Sequence, residues 1–356
     1  MKEEKGFIDL SDVEKLIGKE QELTEQEAYL TKCPVDTSEL RRYALAVEDC
    51  NPLWFDREYA GNTKWKDIIA PPTFMHTCGG GSAAFVHIPG TDDWPHGNLF
   101  AGSDLEFYLP IRIGDIITPI SSFYGFTEKK GNFVGPMVIV TAETKYTNQK
   151  DDLVGVYRQS VIKYSTEKAK EKGQYMSEEI GPMFPSGYPD LRKGEITARG
   201  AKPLYYEDVE IGTELPPMVR HLTIPKIVSM SDISQRSSII LPHTLPGPGC
   251  YWHYIPGESL KLRGLPAPMD EGPMRAAQPS QLITDWMGDD GWLNRLTMQV
   301  RRPIYAGDTT TWKGKVIKKH IKDNTHFIEC EFWGESQRGE VSTRGSAEVI
   351  LPSQSQ

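Results

Sequence analysis

The chain has no long apolar run, no paired cysteines and no excess of positive charge, and each absence closes off a class of protein. No stretch approaches the roughly 20 apolar residues of a membrane span, so no membrane partner is expected. Five cysteines (Cys33, Cys50, Cys78, Cys250, Cys330) are scattered without a Cys-x-x-Cys pair and read as reduced thiols of a cytoplasmic protein. A net charge of −9 argues against a nucleic-acid partner, which calls for a basic face. Met1 to Lys5 are followed by no apolar core, so no secretory signal is expected. His243, Cys250 and His253 offer three zinc ligands without a fourth, so no metal is expected. Cys78-Gly79-Gly80-Gly81-Ser82 lacks the Lys-Ser/Thr of a phosphate loop, and no cofactor is expected either.

What is present is a repeat. Leu109-Pro110-Ile111-Arg112-Ile113-Gly114-Asp115 returns as Arg302-Pro303-Ile304-Tyr305-Ala306-Gly307-Asp308, each copy opening a Thr-containing β segment. Ala70-Pro71 pairs in the same way with Ala267-Pro268, at nearly the same offset (193 residues for the first pair, 197 for the second). Two landmarks in one order indicate a duplicated unit, and 356 residues suit two modest domains. The division expected is a first unit over 1–164, a Lys-, Glu-, Gly- and Pro-rich linker over 165–203, and a second unit over 204–356.

Periodicity fills in each unit. Residues 8–30 suggest an exposed helix, and 38–48 a helix capped by Ser38. Strands are expected over 103–109, 115–126, 134–147 and 153–164, where Val138, Val140, Ala142 and Thr144 alternate. The second unit offers helices at 222–234 and 272–287 and strands near 295–302, 309–319, 325–334 and 340–351. Pro279 should kink the later helix and shorten it. The pattern is α+β: in each unit an antiparallel sheet wraps one central helix, with a groove for a ligand at the seam.

Particular residues carry a resemblance. Glu48-Asp49-Cys50-Asn51-Pro52-Leu53-Trp54, Ile69-Ala70-Pro71-Pro72-Thr73-Phe74, Tyr108 to Asp115, and Tyr146-Thr147-Asn148-Gln149 resemble the amino-terminal half of MaoC-like dehydratases. Tyr206 to Gly212, Leu282 to Asp289 and Arg302 to Asp308 resemble the partner half. The resemblance covers about 40–164 and 204–351 and implies a double hotdog fold. It further implies hydration or dehydration of a 2-enoyl/3-hydroxyacyl thioester carried on CoA or acyl carrier protein. A homodimer, or a hetero-oligomer with a related hotdog chain, is the expected assembly.

Such chemistry needs an acid/base pair at C2 and C3 and a backbone N–H facing the thioester oxygen, where charge develops. The family's active half carries Asp-x-Asn-Pro-x-His, and this chain departs from that in both halves. Asp49 and Asn51 are kept, but Trp54 replaces the His, and an indole cannot act as a base. The first half is therefore expected to be non-catalytic, with Asp49, Asn51 and Trp54 lining a substrate groove. In the second half His253 is the candidate acid/base, 15 residues before Pro268 as Trp54 stands 17 before Pro71. Pro248 occupies the place of its Asp, leaving Asp232 or Asp270 as the carboxylate partner. Gly272, at a helix start, is the candidate oxyanion donor.

Two other readings stay open. Asp270 or Glu271 could activate water, giving an acyl-CoA thioesterase, with a Cys250–His253 nucleophile as a lesser variant. The altered motifs also suit a non-catalytic acyl-CoA-binding subunit. Tyr251, Trp252 and Glu271 are expected to line the substrate site, and with Trp94 and Tyr254 the aromatic residues suggest a bulky or cyclic acyl group. Arg301, Arg302, Lys313 and Lys315 are candidates for CoA phosphates.

Overall fold

A computed structural model describes residues 13–21, 33–79, 96–131, 135–184, 203–234 and 264–354. Among the described residues nine antiparallel strands form one sheet: β1 (His96–Phe107), β2 (Thr118–Gly131), β3 (Gly135–Thr147), β4 (Leu153–Ser165), β5 (Glu214–His221), β6 (Trp292–Val300), β7 (Thr309–Lys322), β8 (Thr325–Ser336) and β9 (Val341–Ile350). Their order is β2-β3-β4-β1-β6-β9-β8-β7-β5. The first half's strands thus stand on one side and the second half's on the other, joined by β1 and β6. That seam is short, running from Gly102↔Gln299 to Glu106↔Arg295. Gly102 is required there. Its φ is +151°, and a Cβ would meet the Met298 carbonyl at 2.2 Å.

The alternating apolar positions face the core as expected. Val138, Val140 and Ala142 are buried with Val13, Phe123 and Val161. Ile328, Cys330 and Phe332 join the main cluster, which also takes in Leu40, Tyr43, Leu105 and Leu296 and therefore spans both halves. Against the second half's strands lies α5 (Gly272–Met287), 16 residues long, burying Met274, Ala276, Ala277, Leu282, Ile283 and Met287. Pro279 sits inside it, yet the helix keeps its full length, contrary to the expectation of shortening. Burial on the core side outweighs the one hydrogen bond that proline removes.

Other expectations shift. Helix α1 runs over Thr37–Ala46, and its cap is Asp36 in a reciprocal box with Glu39, rather than Ser38. After α2 (Arg57–Gly61), the next helix, α3 (Thr166–Lys172), opens the segment expected to be a linker. That segment is packed as far as residue 184. Ala169 and Tyr175 are buried with Leu265 and Tyr305, and Glu178 pairs with Arg302 and Arg338. Its polar composition hid these few anchoring contacts. Helix α4 (Ile224–Ser234) carries Asp232 in its last turn. Of the 8–30 helix, residues 13–21 are described; they hold a single 3₁₀ turn, Glu14–Leu16, and a bridge from Glu20 to Ser122. Cys33, Cys50, Cys78 and Cys330 form no disulfide. Among the described residues no helix is long and apolar enough to cross a membrane.

Candidate active site at the seam

The repeated Pro-Ile-x-x-Gly-Asp is one turn built twice. Asp115 accepts the Arg112 N–H at 2.8 Å, and Asp308 accepts that of Tyr305 at 2.9 Å. Gly114 and Gly307 take φ of +89° and +99° and donate to the Val35 and Leu222 carbonyls. Each turn then receives the strand that precedes a central helix. Ile69 bridges Arg112, and Met269 bridges Tyr305. Ala70 N–H donates to the Ile111 carbonyl and Asp270 N–H to that of Ile304. Ile69 therefore corresponds to Met269, which makes Pro71 the partner of Glu271 and Pro72 the partner of Gly272. This corrects the pairing of Pro71 with Pro268, which rested on an Ala-Pro dipeptide alone.

The correction matters for chemistry. In the second half α5 begins at Gly272, and its preceding residue Glu271 places no side chain on the first-turn N–H groups. The first 3₁₀ turns of the other half, Pro72–Thr77, begin with a proline. Where Gly272 has an N–H at the head of a 16-residue helix, Pro72 has none. The two halves therefore differ at this position as they do at Trp54.

The two sites differ in space too. The first is an apolar cavity of about 30 Å³, room for about one water. Asn51, Leu53, Trp54 and Pro72 of the first half face Met287 and Trp292 of the second across it. Asn51 does not face a ligand: its Nδ2 donates to Asp289 at 3.0 Å, where Tyr59 Oη donates at 2.5 Å. The same residue's Oδ1 caps Leu53 N–H. Asp49 is buried and accepts the Asn51 N–H at 3.4 Å. The motif residues here clasp the carboxyl end of α5.

The second site is open. The described residues enclose a cleft of about 1190 Å³ that reaches from Met269, Asp270 and Glu271 past Phe100 and Tyr175 onto the outer face of the sheet. Leu99 and Phe100 occupy the place that Trp292 and Leu293 hold in the first site. Phe100 packs on the helix start: a Cβ on Gly272 would meet its ring at 2.7 Å, so only glycine fits there.

Asp270 is not the base that the sequence suggests. It is buried, and both its oxygens are held by the Arg275 guanidinium, which also donates to Thr343 and to the Arg302 carbonyl. Burial pushes its carboxyl above the ordinary range, against the pull of Arg275. A carboxylate engaged through both oxygens by a guanidinium is a poor base, and Asp270 instead fastens the start of α5 to the Tyr305 turn and, through Arg275, to β9. The corresponding residues of the first half are Ala70 and Met75, which is why no repeat pattern signalled the pair. Arg275 and Phe100 were the site residues missed, since only the fold brings them to the helix start.

His253, Tyr251 and Trp252 lie outside the described residues, as do Trp94, Tyr254, His243 and Cys250. The Asp232 side chain is likewise outside, while its backbone is placed at the end of α4. Among the described residues one group sets three metal-ligating atoms within 4.8 Å, His320, Glu329 and Glu348. Glu329 is already paired with Lys318 at 2.6 Å, and Glu348 accepts from Asn294 at 2.6 Å. Cys330, buried, has its thiol pushed up to about 12 and is no thiolate.

A continuous sheet built from two repeated units, with a central helix described in the second, defines a double hotdog protein. Comparison places it further. Residues 24–156 match the family model of the FAS1-like dehydratase domain region. An UPF0336 protein of Streptomyces avermitilis is 31% identical over 101 residues, 28% of this chain and 67% of the relative, so the chain spans about two thirds of that relative's length. A solved MaoC-like dehydratase superposes with a TM-score of 0.67 at 17% identity, covering 96% of this chain and 100% of the other. A double-hotdog protein of Mycobacterium tuberculosis gives 0.57 at 9% identity, over 89% and 92%. The chain belongs to the MaoC-like dehydratase family.

Proposed function

We propose that the protein is a hydro-lyase that adds water reversibly to an enoyl thioester, and that the chemistry occurs in the second half's cleft. The asymmetry at the two helix starts carries this reading. Gly272 brings an N–H to the head of a 16-residue helix whose preceding residues, Met269 to Glu271, line a roomy cleft, whereas Pro72 and Trp54 line a first site with room for about one water.

In the dehydration direction a base takes a proton from C2 of the 3-hydroxyacyl thioester. Charge builds on the thioester oxygen, where the Gly272 N–H and the positive end of α5 receive it. An acid then protonates the hydroxyl at C3, which leaves as water as the C2–C3 double bond forms. His253 is assigned the acid/base role and Asp232 its orienting carboxylate, since Asp270 is bound to Arg275. Glu271, Tyr251 and Trp252 are assigned to lining the acyl site, which suits a bulky or cyclic group. Asp49, Asn51 and Trp54 are assigned to the non-catalytic half. Assembly with a second copy or a related hotdog chain belongs to the same reading.

A panel of aliphatic and aromatic enoyl-CoAs tests it, with loss of enoyl-thioester absorbance followed alongside product mass. The expected product is heavier by one water with the thioester intact. Free CoA as product would indicate hydrolysis, and binding without turnover a supporting subunit; either would overturn the assignment.

A further inference from the structure

The cleft has a charge that the chain does not share. Among the described residues, six cationic side chains and four carboxylates line it, in a protein of net charge −9. Three of the carboxylates are paired with cations: Asp104 with Arg158 and Arg295, Asp270 with Arg275, Glu331 with Lys315. Arg302 is used by Glu178 at 2.7 Å and Glu340 at 2.9 Å, with Tyr175 under its plane. Lys313 and Lys315, the other strand-edge cations, pair with Glu335 and Glu331.

Two guanidinium groups remain. Arg301, at the end of β6, is exposed and donates only to Gln299 Oε1, at 2.8 Å. Arg344 on β9 is exposed, and strand register sets it directly opposite that same Gln299. Among the described residues neither has a carboxylate partner. Both line the cleft, Arg301 standing two residues along the chain from the Gln299 that Arg344 faces. Lys129, also exposed and without a carboxylate partner, stands on the cleft's other wall. A planar five-donor fork suits a phosphate better than a lone ammonium does, and two such forks suit a group with more than one negative charge.

We propose that Arg301 and Arg344 grip the phosphate-bearing end of the thioester's carrier arm while the acyl end lies at Gly272. This rests on the thioester reading above and adds to it the residues that select the carrier. It also makes binding electrostatic, weakening as ionic strength rises.

The test compares the full chain with Arg301→Gln, Arg344→Gln and the double variant. Both side chains are exposed and bear no buried contact, so the fold should stand. Calorimetry with free CoA reads binding without requiring turnover. Loss of about tenfold in affinity for each guanidinium removed is expected, as for one charge-assisted contact. KM for an enoyl-CoA should rise in parallel with kcat retained, and the same acyl group on pantetheine, which has no phosphate, should show no change. An effect confined to a phosphopantetheinyl protein, with CoA unaffected, assigns the phosphate to that carrier and supports the same grip. Unchanged CoA and carrier binding in the double variant, or an equal loss with the pantetheine thioester, overturns the proposal. CoA binding that depends on the two arginines, without any hydration, would sink the hydro-lyase reading alone.

Discussion

At the residue scale, the second half replaces two apolar residues of the first with a buried charge pair. Ala70 and Met75 correspond to Asp270 and Arg275, and both charged side chains are almost wholly enclosed. Removing one partner of such a pair strands the other. Arg275→Met should lower stability by about 3–5 kcal/mol, read by denaturant unfolding. Asp270→Ala/Arg275→Met, which installs the first half's residues, should recover most of that loss. If the single and double variants unfold alike, Asp270 is not held by this pair.

His76 is a second buried group with a readable consequence. It packs against Tyr157 with ring centroids 4.4 Å apart, and neither ring nitrogen has a partner among the described residues. Burial lowers its pKa from 6.5 to about 3. The folded protein therefore keeps His76 neutral where the unfolded chain takes up a proton. Stability is full above about pH 6.5 and falls as pH drops toward 3, at up to roughly 1.4 kcal/mol per pH unit. His76→Phe should flatten that acid limb in unfolding experiments between pH 4 and 7. An unchanged limb would place the acid sensitivity elsewhere.

At the scale of elements, much of the fold is legible because it is periodic or repeated. Helix α5 occupies the span its spacing predicts, and the alternating residues of β3 and β8 face the core. The doubled Pro-Ile-x-x-Gly-Asp is legible because a positive-φ glycine and an aspartate closing its own turn leave a fixed pattern. The Ala-Pro landmark misled because no such constraint holds it. Contacts across long separations are invisible in one sequence: Arg344 comes opposite Gln299, and Phe100 meets Gly272, only through strand register and packing. The packed stretch 166–184 was masked by its polar composition. The joint between β1 and β6 makes its own prediction. Gly102→Ala drives a Cβ into the Met298 carbonyl and should cost about 3 kcal/mol. Because the main core spans both halves, a single unfolding transition should move as a whole. Two separated transitions would mean that the halves are independent.

For the whole molecule, duplication followed by specialisation explains the arrangement. One site has been filled by tryptophan and proline and turned into a clasp on the carboxyl end of α5. The other opens its helix with a glycine, has its frame locked by an ion pair and has Arg301 and Arg344 in its lining. The most direct test of this division compares His253→Ala with Asp49→Asn as hydratases on the enoyl-CoA that the wild type turns over best. The account predicts that His253→Ala lowers kcat by about 10²-fold or more, while Asp49→Asn keeps kcat within a few-fold of wild type. Loss of turnover in Asp49→Asn with His253→Ala still active would place the chemistry in the first half and contradict it.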